Sequence, residues 1–178
     1  SSLIFTEADI EDSVNLLFNP GFAPYSLEGE EALKGWNVHV EPQSAGFDKI
    51  MIDASSFVEG KSSLKISASD KDILIISEPF KVRRYGGYYS RIRARSDSQA
   101  PPQIQLRMIT FKDQGKITNR FKQKADLSTE WTSISTSAGF LRPGVSFGRV
   151  FIHIPPFSEG SIWLDDAGCW EVHGFRID

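Results

Sequence analysis

Through most of this chain apolar residues recur at every second position, in short runs broken by turn-forming residues. That repeat belongs to a β-strand with one buried face, and it leaves no stretch that reads as an amphipathic helix. The runs predict strands at 13–18, 36–41, 47–53, 62–68, 72–78, 87–95, 103–111, 116–121, 131–138, 147–154, 161–167 and 169–175. Glu59-Gly60-Lys61, Gly86-Gly87, Ala100-Pro101-Pro102, Asp113-Gln114-Gly115, Arg142-Pro143-Gly144 and Pro155-Pro156 supply the turns between them. Residues 24–34 read as a loop. Many short strands with frequent turns imply an all-β fold, a two-sheet antiparallel β-sandwich of jelly-roll type.

The two ends of the pattern look matched. Asn15-Leu16-Leu17-Phe18-Asn19-Pro20-Gly21-Phe22 is an apolar run that turns a corner. Ser161-Ile162-Trp163-Leu164-Asp165-Asp166-Ala167 is an apolar strand carrying two adjacent carboxylates. Buried carboxylates need partners, so the first and last strands are expected to meet around one, with Asp165 and Asp166 on opposite faces if the strand is regular. Residues 1–12 read as a polar leader over the domain, and residues 13–178 as a single sandwich.

At 178 residues the chain can bury a substantial core, and a net charge of −3 gives no whole-chain reason to expect nucleic acid. Cys169 is the only cysteine, so no intrachain disulfide can form; beside Trp170 it reads as an inert core thiol. No apolar run approaches the length of a membrane span. A start at Ser1 suits a mature or trimmed form.

The order of Asn19-Pro20-Gly21-Phe22, Gly35-Trp36, Glu59-Gly60-Lys61-Ser62-Ser63-Leu64-Lys65-Ile66 and Trp163-Leu164-Asp165-Asp166 resembles the jelly-roll carbohydrate-binding modules of the family 4, 9 and 22 group. Gly87-Tyr88-Tyr89-Ser90-Arg91-Ile92-Arg93-Ala94 looks like that group's central strand, and the likeness covers about residues 13–175. It implies a structural calcium ion (Ca2+) near Asp165 and Asp166, a binding groove on a concave sheet, and a secreted, periplasmic or cell-surface location. It also implies a monomer or a module of a larger chain. One departure is Ala23, where the group often has Glu. Trp36 alternates with Val38 and Val40, which makes it a core residue rather than a sugar platform.

Strand parity then selects an outward face. Tyr89, Arg91, Arg93 and Arg95 alternate with Ile92 and Ala94. Gln103, Gln105 and Arg107 alternate with Ile104, Leu106 and Met108. Phe147, Arg149, Phe151 and His153 alternate with Val150, Ile152 and Ile154, and Asn37, His39 and Glu41 complete the set. If these strands share a sheet, Arg91, Arg93, Gln105, Arg107, Arg149, Phe151, His153 and His39 form one ligand-binding surface. Guanidinium, amide and aromatic groups suit hydrogen bonding and stacking on sugars, and the arginine excess points to carboxylate or sulfate on the ligand. The plainer alternative pairs these arginines with acidic loop residues.

The outward set supplies only Glu41 and Asp53, at its margins, for the paired carboxylates of a glycosidase, and a Gly-x-Ser-x-Gly elbow, a phosphate loop and zinc spacing do not occur in the sequence. The reading is therefore a non-catalytic module that binds poly- or oligosaccharide, with no nucleic-acid partner. A jelly-roll polysaccharide lyase using His153, Tyr89 and the arginines, and a structural accessory domain packed on a catalytic partner, remain as alternatives.

Overall fold

The structure is a computed structural model, and it describes residues 3–22, 33, 35–41, 50–58 and 62–175. The 24–34 loop, apart from Leu33, the turn at 59–61 and Ala23 lie outside the described residues. Most of the alternating runs become strands: β1 (Trp36–Glu41), β2 (Ile50–Asp53), β3 (Ser63–Ser69), β4 (Asp72–Ser77), β5 (Phe80–Lys81) and β6 (Tyr88–Ser96). Then follow β7 (Ile104–Lys112), β8 (Ile117–Ala125), β9 (Thr132–Ala138), β10 (Val145–Ile154) and β11 (Phe157–Glu171).

They form two antiparallel sheets. Sheet A runs β1-β4-β10-β7-β8, with β5 also pairing on β10; sheet B runs β2-β3-β11-β6-β9. The alternation accounts for the core between them. Ile73, Ile75, Leu106, Met108 and Ile152 from sheet A meet Leu64, Ile66, Ile92, Ile162 and Leu164 from sheet B, all at 0–1% exposure. Each such side chain contributes roughly 1.5–3 kcal/mol by leaving water. Trp36 is in this core, 4.7 Å from the Phe22 ring, with its indole N–H donating to the Asn19 carbonyl.

The matched ends do meet, but 13–18 is not a strand. Leu16 N–H donates to the Cys169 carbonyl and Ala167 N–H to the Pro20 carbonyl. Between these points the Asn15 side chain replaces the ladder. Its Oδ1 accepts from Leu17 and Cys169, and its Nδ2 donates to the Ala167 carbonyl. The corner at Asn19 and Phe22 uses left-handed backbone, φ 53° and 55°.

At the C-terminal end the two expected strands are one. β11 continues through a bulge between Asp165 and Gly168, with Asp166 at φ 52°. The extra residue resets the alternation, so Ile162 and Leu164 face the core before it and Ala167 and Cys169 after it. Asp165 and Asp166 therefore do not take opposite faces, and both lie on the outer side of sheet B. Asp165 pairs in register with Arg93, and Asp166 contacts Arg91 and Arg93.

The leader lies across sheet B. A single 3-10 turn, Glu7–Ile10, seats Ile10 against Tyr89 and Val172, with Phe5, Trp170 and Phe175 around them. A Cβ at Gly139 would fall 2.6 Å from the end of the Leu3 side chain, so the leader packs closely on this glycine. Cys169 is fully buried, and burial pushes its thiol up to about 12, in keeping with an inert core role.

Candidate functional site

The surface expected to be single is divided between the two sheets. Arg91 and Arg93 stand on β6, in the middle of sheet B. His39, Gln105, Arg107, Arg149, Phe151 and His153 stand on the outer side of sheet A. Parity correctly gave each side chain's direction from its own strand. It carried no information about which sheet the strand joins.

On sheet B the plainer alternative holds. Arg91 is 9% exposed; its guanidinium donates to both oxygens of Glu7, at 2.8 and 2.9 Å, and lies 3.1 Å from Asp166 Oδ2. Arg93 Nε lies 3.4 Å from the same oxygen. Arg91 also stacks 4.7 Å from the centre of the Trp170 ring. Trp170 folds over Gly168, where a Cβ would meet the indole at 1.9 Å. Arg95 lies 4.0 Å over Trp163 and donates to Ser56 Oγ.

The same surroundings test the calcium ion that the resemblance implies. Asp166 sits against two guanidinium groups, and Asp165 Oδ2 accepts the Val58 N–H at 2.7 Å. Among the described residues no group of three or more His, Cys, Asp or Glu side chains is arranged to hold a metal. Among the described residues the partners of the two aspartates are thus guanidinium groups and a backbone N–H.

Sheet A presents a different surface. Its register sets outward side chains in rows across the strands. Asn37, Ile76, Phe151, Arg107 and Lys122 make one row, and His39, Leu74, His153, Gln105 and Lys124 the next. On the other side come Arg149, Ile109 and Arg120, then Lys81, Phe147, Phe111 and Ile117. Neighbours within a row are about 4.8 Å apart and rows about 6.8 Å apart, so the rows form a continuous platform.

Its centre is aromatic. Phe111 stacks on Phe147 at 5.0 Å and lies 6.5 Å from Phe151. Beside them a groove of about 330 Å³ is lined by Asn37, His39, Ile76, Phe111, Arg149 and Phe151. Arg149 donates to the Ser77 carbonyl at 3.0 Å, and Arg107 Nε to Gln105 Oε1 at 2.5 Å. Among the described residues no carboxylate is in ion-pair contact with Arg107, Arg149, Arg120, Lys122 or Lys124. Two carboxylates of this face, Glu41 and Asp72, each pair with a histidine at one end, and Asp126 accepts from Gln103 beyond Lys124.

Phe111, Arg120, Lys122 and Lys124 are additions to the expected set, and Phe147, read as outward, joins the platform. Phe111 shares the parity of Arg107, so its signal was present in the sequence. Lys122 and Lys124 lie beyond the predicted end of β8 at 121, whereas Arg120 lies inside the predicted strand and was not singled out there. The constellation proposed for a lyase is not assembled. Tyr89 is on sheet B, 5% exposed and donating to Glu7, while His153 is on sheet A. Burial raises the Tyr89 hydroxyl above its ordinary value. Among the described residues no helix is long and apolar enough to cross a membrane.

No family model matches the chain, and no curated protein matches it by sequence. Solved structures do. The enzymatically active domain of tailspike protein 4 from bacteriophage CBA120 superposes over 88% of this chain, with a TM-score of 0.66 and 10% identity; the chain spans 21% of that structure. A family 61 carbohydrate-binding module in complex with β-1,4-galactotriose matches 89% of this chain and 99% of its own, with a TM-score of 0.59 and 14% identity. The xylan-binding family 22 module of Paenibacillus barcinonensis matches 93% of this chain and 97% of its own, at 0.58 and 12%. The chain has the jelly-roll β-sandwich fold of these carbohydrate-binding modules.

Proposed function

We propose that this chain is a non-catalytic module that binds poly- or oligosaccharide on the outer face of sheet A, with preference for an anionic glycan. The observation that carries the reading is the coexistence of an aromatic platform with guanidinium and ammonium groups that, among the described residues, meet no carboxylate there. Phe111, Phe147 and Phe151 offer apolar rings for a pyranose face. Arg107 and Arg149 stand beside them as planar donors, and Arg120, Lys122 and Lys124 extend positive charge along β8. Arginine forks suit carboxylate or sulfate; lysine adds point charge. The fold shared with carbohydrate-binding modules supports the reading.

Such polysaccharide is met outside the cytoplasm, so we read the chain as secreted, periplasmic or surface-held, acting alone or within a larger chain. The test is a glycan array followed by calorimetry on neutral and acidic oligosaccharides. Binding that falls in Arg107→Ala and in Phe151→Ala, with circular dichroism unchanged, is the expected result. A wild-type protein silent on both glycan classes would overturn the reading.

A further inference from the structure

Two histidine–carboxylate pairs stand side by side at one end of the sheet A face. His39 Nε2 lies 3.0 Å from Glu41 Oε1, and His153 Nε2 lies 2.8 Å from Asp72 Oδ1. The register places His39 and His153 on either side of Leu74, with Glu41 directly opposite Asp72. Glu41 and Asp72 are 63% and 52% exposed, so these pairs contribute little to stability. Nor do the four side chains form a metal site. What they do share is position: they close one end of a surface that is otherwise cationic.

We infer that His39 and His153, each held against its carboxylate, determine how tightly this end of the face accepts an anionic glycan as pH changes, an inference that rests on the glycan reading above. With both imidazoles neutral, Glu41 and Asp72 leave two negative charges in the path of a polyanion lying across the rows. Protonation of the imidazoles cancels them. Histidine is the side chain whose charge changes between about pH 5 and pH 8. Among the described residues, the charged groups around the two rings are Glu41 on β1, Asp72 on β4, Arg149 on β10, Arg107 on β7, and Lys122 and Lys124 on β8, with Asp126, bonded to Gln103, one step further along. The pairs are exposed, so the effect acts through solvent and is modest.

The probe is a labelled heparin octasaccharide, whose sulfate groups stay ionised throughout, followed by fluorescence anisotropy at fixed ionic strength. Wild type is expected to bind about threefold tighter at about pH 5.5 than at about pH 8. The double variant His39→Gln/His153→Gln should be flat between the two, at the weaker level. Glu41→Gln/Asp72→Asn should bind at the higher pH as tightly as wild type does at the lower. Equal wild-type affinity at both pH values overturns the inference and leaves the glycan reading standing. A pH dependence that survives loss of both histidines also overturns it. No heparin binding at either pH overturns the preference for anionic glycan and this inference together.

Discussion

On sheet B, Arg91 meets two carboxylates and an indole; on sheet A, Arg107 meets the side-chain oxygen of one glutamine. Both arginines sit on central strands and point outward, and by sequence they are equivalent. The difference comes from what lies above each sheet. The 3–12 segment crosses sheet B and brings Glu7, while the bulge in β11 raises Asp166 from the other side. On sheet A the ion pairs among the described residues lie at the Glu41 and Asp72 end. One face thus uses guanidinium groups to fasten a covering segment; on the other, among the described residues, Arg107 and Arg149 meet no carboxylate, which is what the proposed glycan site rests on.

That contrast breaks first on stability. Arg91→Ala leaves Glu7 without its ion pair, leaves Asp166 with Arg93 alone and removes the cover from Trp170. Losing one partner of a buried pair costs about 3–5 kcal/mol, and the half-exposed Glu7 brings the expected loss to about 2–3 kcal/mol. Urea unfolding measures it. Arg107→Ala in the same assay should stay within about 0.5 kcal/mol of wild type. Equal losses in the two variants would erase the distinction between the faces.

Asn15→Ala tests the seam that holds β11 in place. The change leaves the Leu17 and Cys169 N–H groups and the Ala167 carbonyl without their side-chain partner. Each partly buried orphan costs up to about 1–3 kcal/mol, and solvent reaches part of this seam, so a loss of about 2 kcal/mol is expected by thermal or urea unfolding. Asn15→Asp keeps the acceptor and should lose less.

The next effect is on binding. Arg107→Ala and Phe151→Ala should each weaken an anionic oligosaccharide about tenfold, in line with one charge-assisted hydrogen bond or one stacked ring. Arg93→Ala, equally basic but on sheet B, should leave that affinity unchanged. Added salt should weaken wild-type binding more than Arg107→Ala binding, because the variant has less charge to screen.

How far the sequence reaches is visible in the same residues. β1 has the bounds its alternation predicts, since Trp36 and Val40 must face in and Asn37, His39 and Glu41 need not. Period two reports only the direction of a side chain from its own strand. The partner of β6 is decided by chain connections many residues away, so Arg91 and Arg93 were grouped with Arg107 though a core separates them. The bulge was hidden for a local reason: Asp166 takes a left-handed φ that sequence marks clearly only at glycine. Asn15 escaped too, because one side chain imitating a ladder leaves no periodic trace.

The smallest effect lies at the rim of sheet B, on Asp53. Its carboxylate accepts from the Ser55 hydroxyl at 2.6 Å and amide at 2.8 Å, and from the Trp163 indole at 2.8 Å. The Ser55 hydroxyl bond, then the indole N–H, hold it down at about 2. A carboxylate with a folded pKa below its unfolded value favours the folded state once the unfolded chain is ionised. Its contribution is therefore complete above about pH 4, the ordinary carboxylate range, and disappears as the pH falls to about 2. Asp53→Asn removes the charge but keeps an acceptor. The stability gap between wild type and variant should thus be largest near neutrality and close between about pH 4 and pH 2, read as converging unfolding midpoints. The indole links this to the faces, because Trp163 also carries Arg95 and Lys65 against its ring. A gap that does not narrow in acid would mean that Asp53 acts through packing, and that the Trp163 stack stands without its charge.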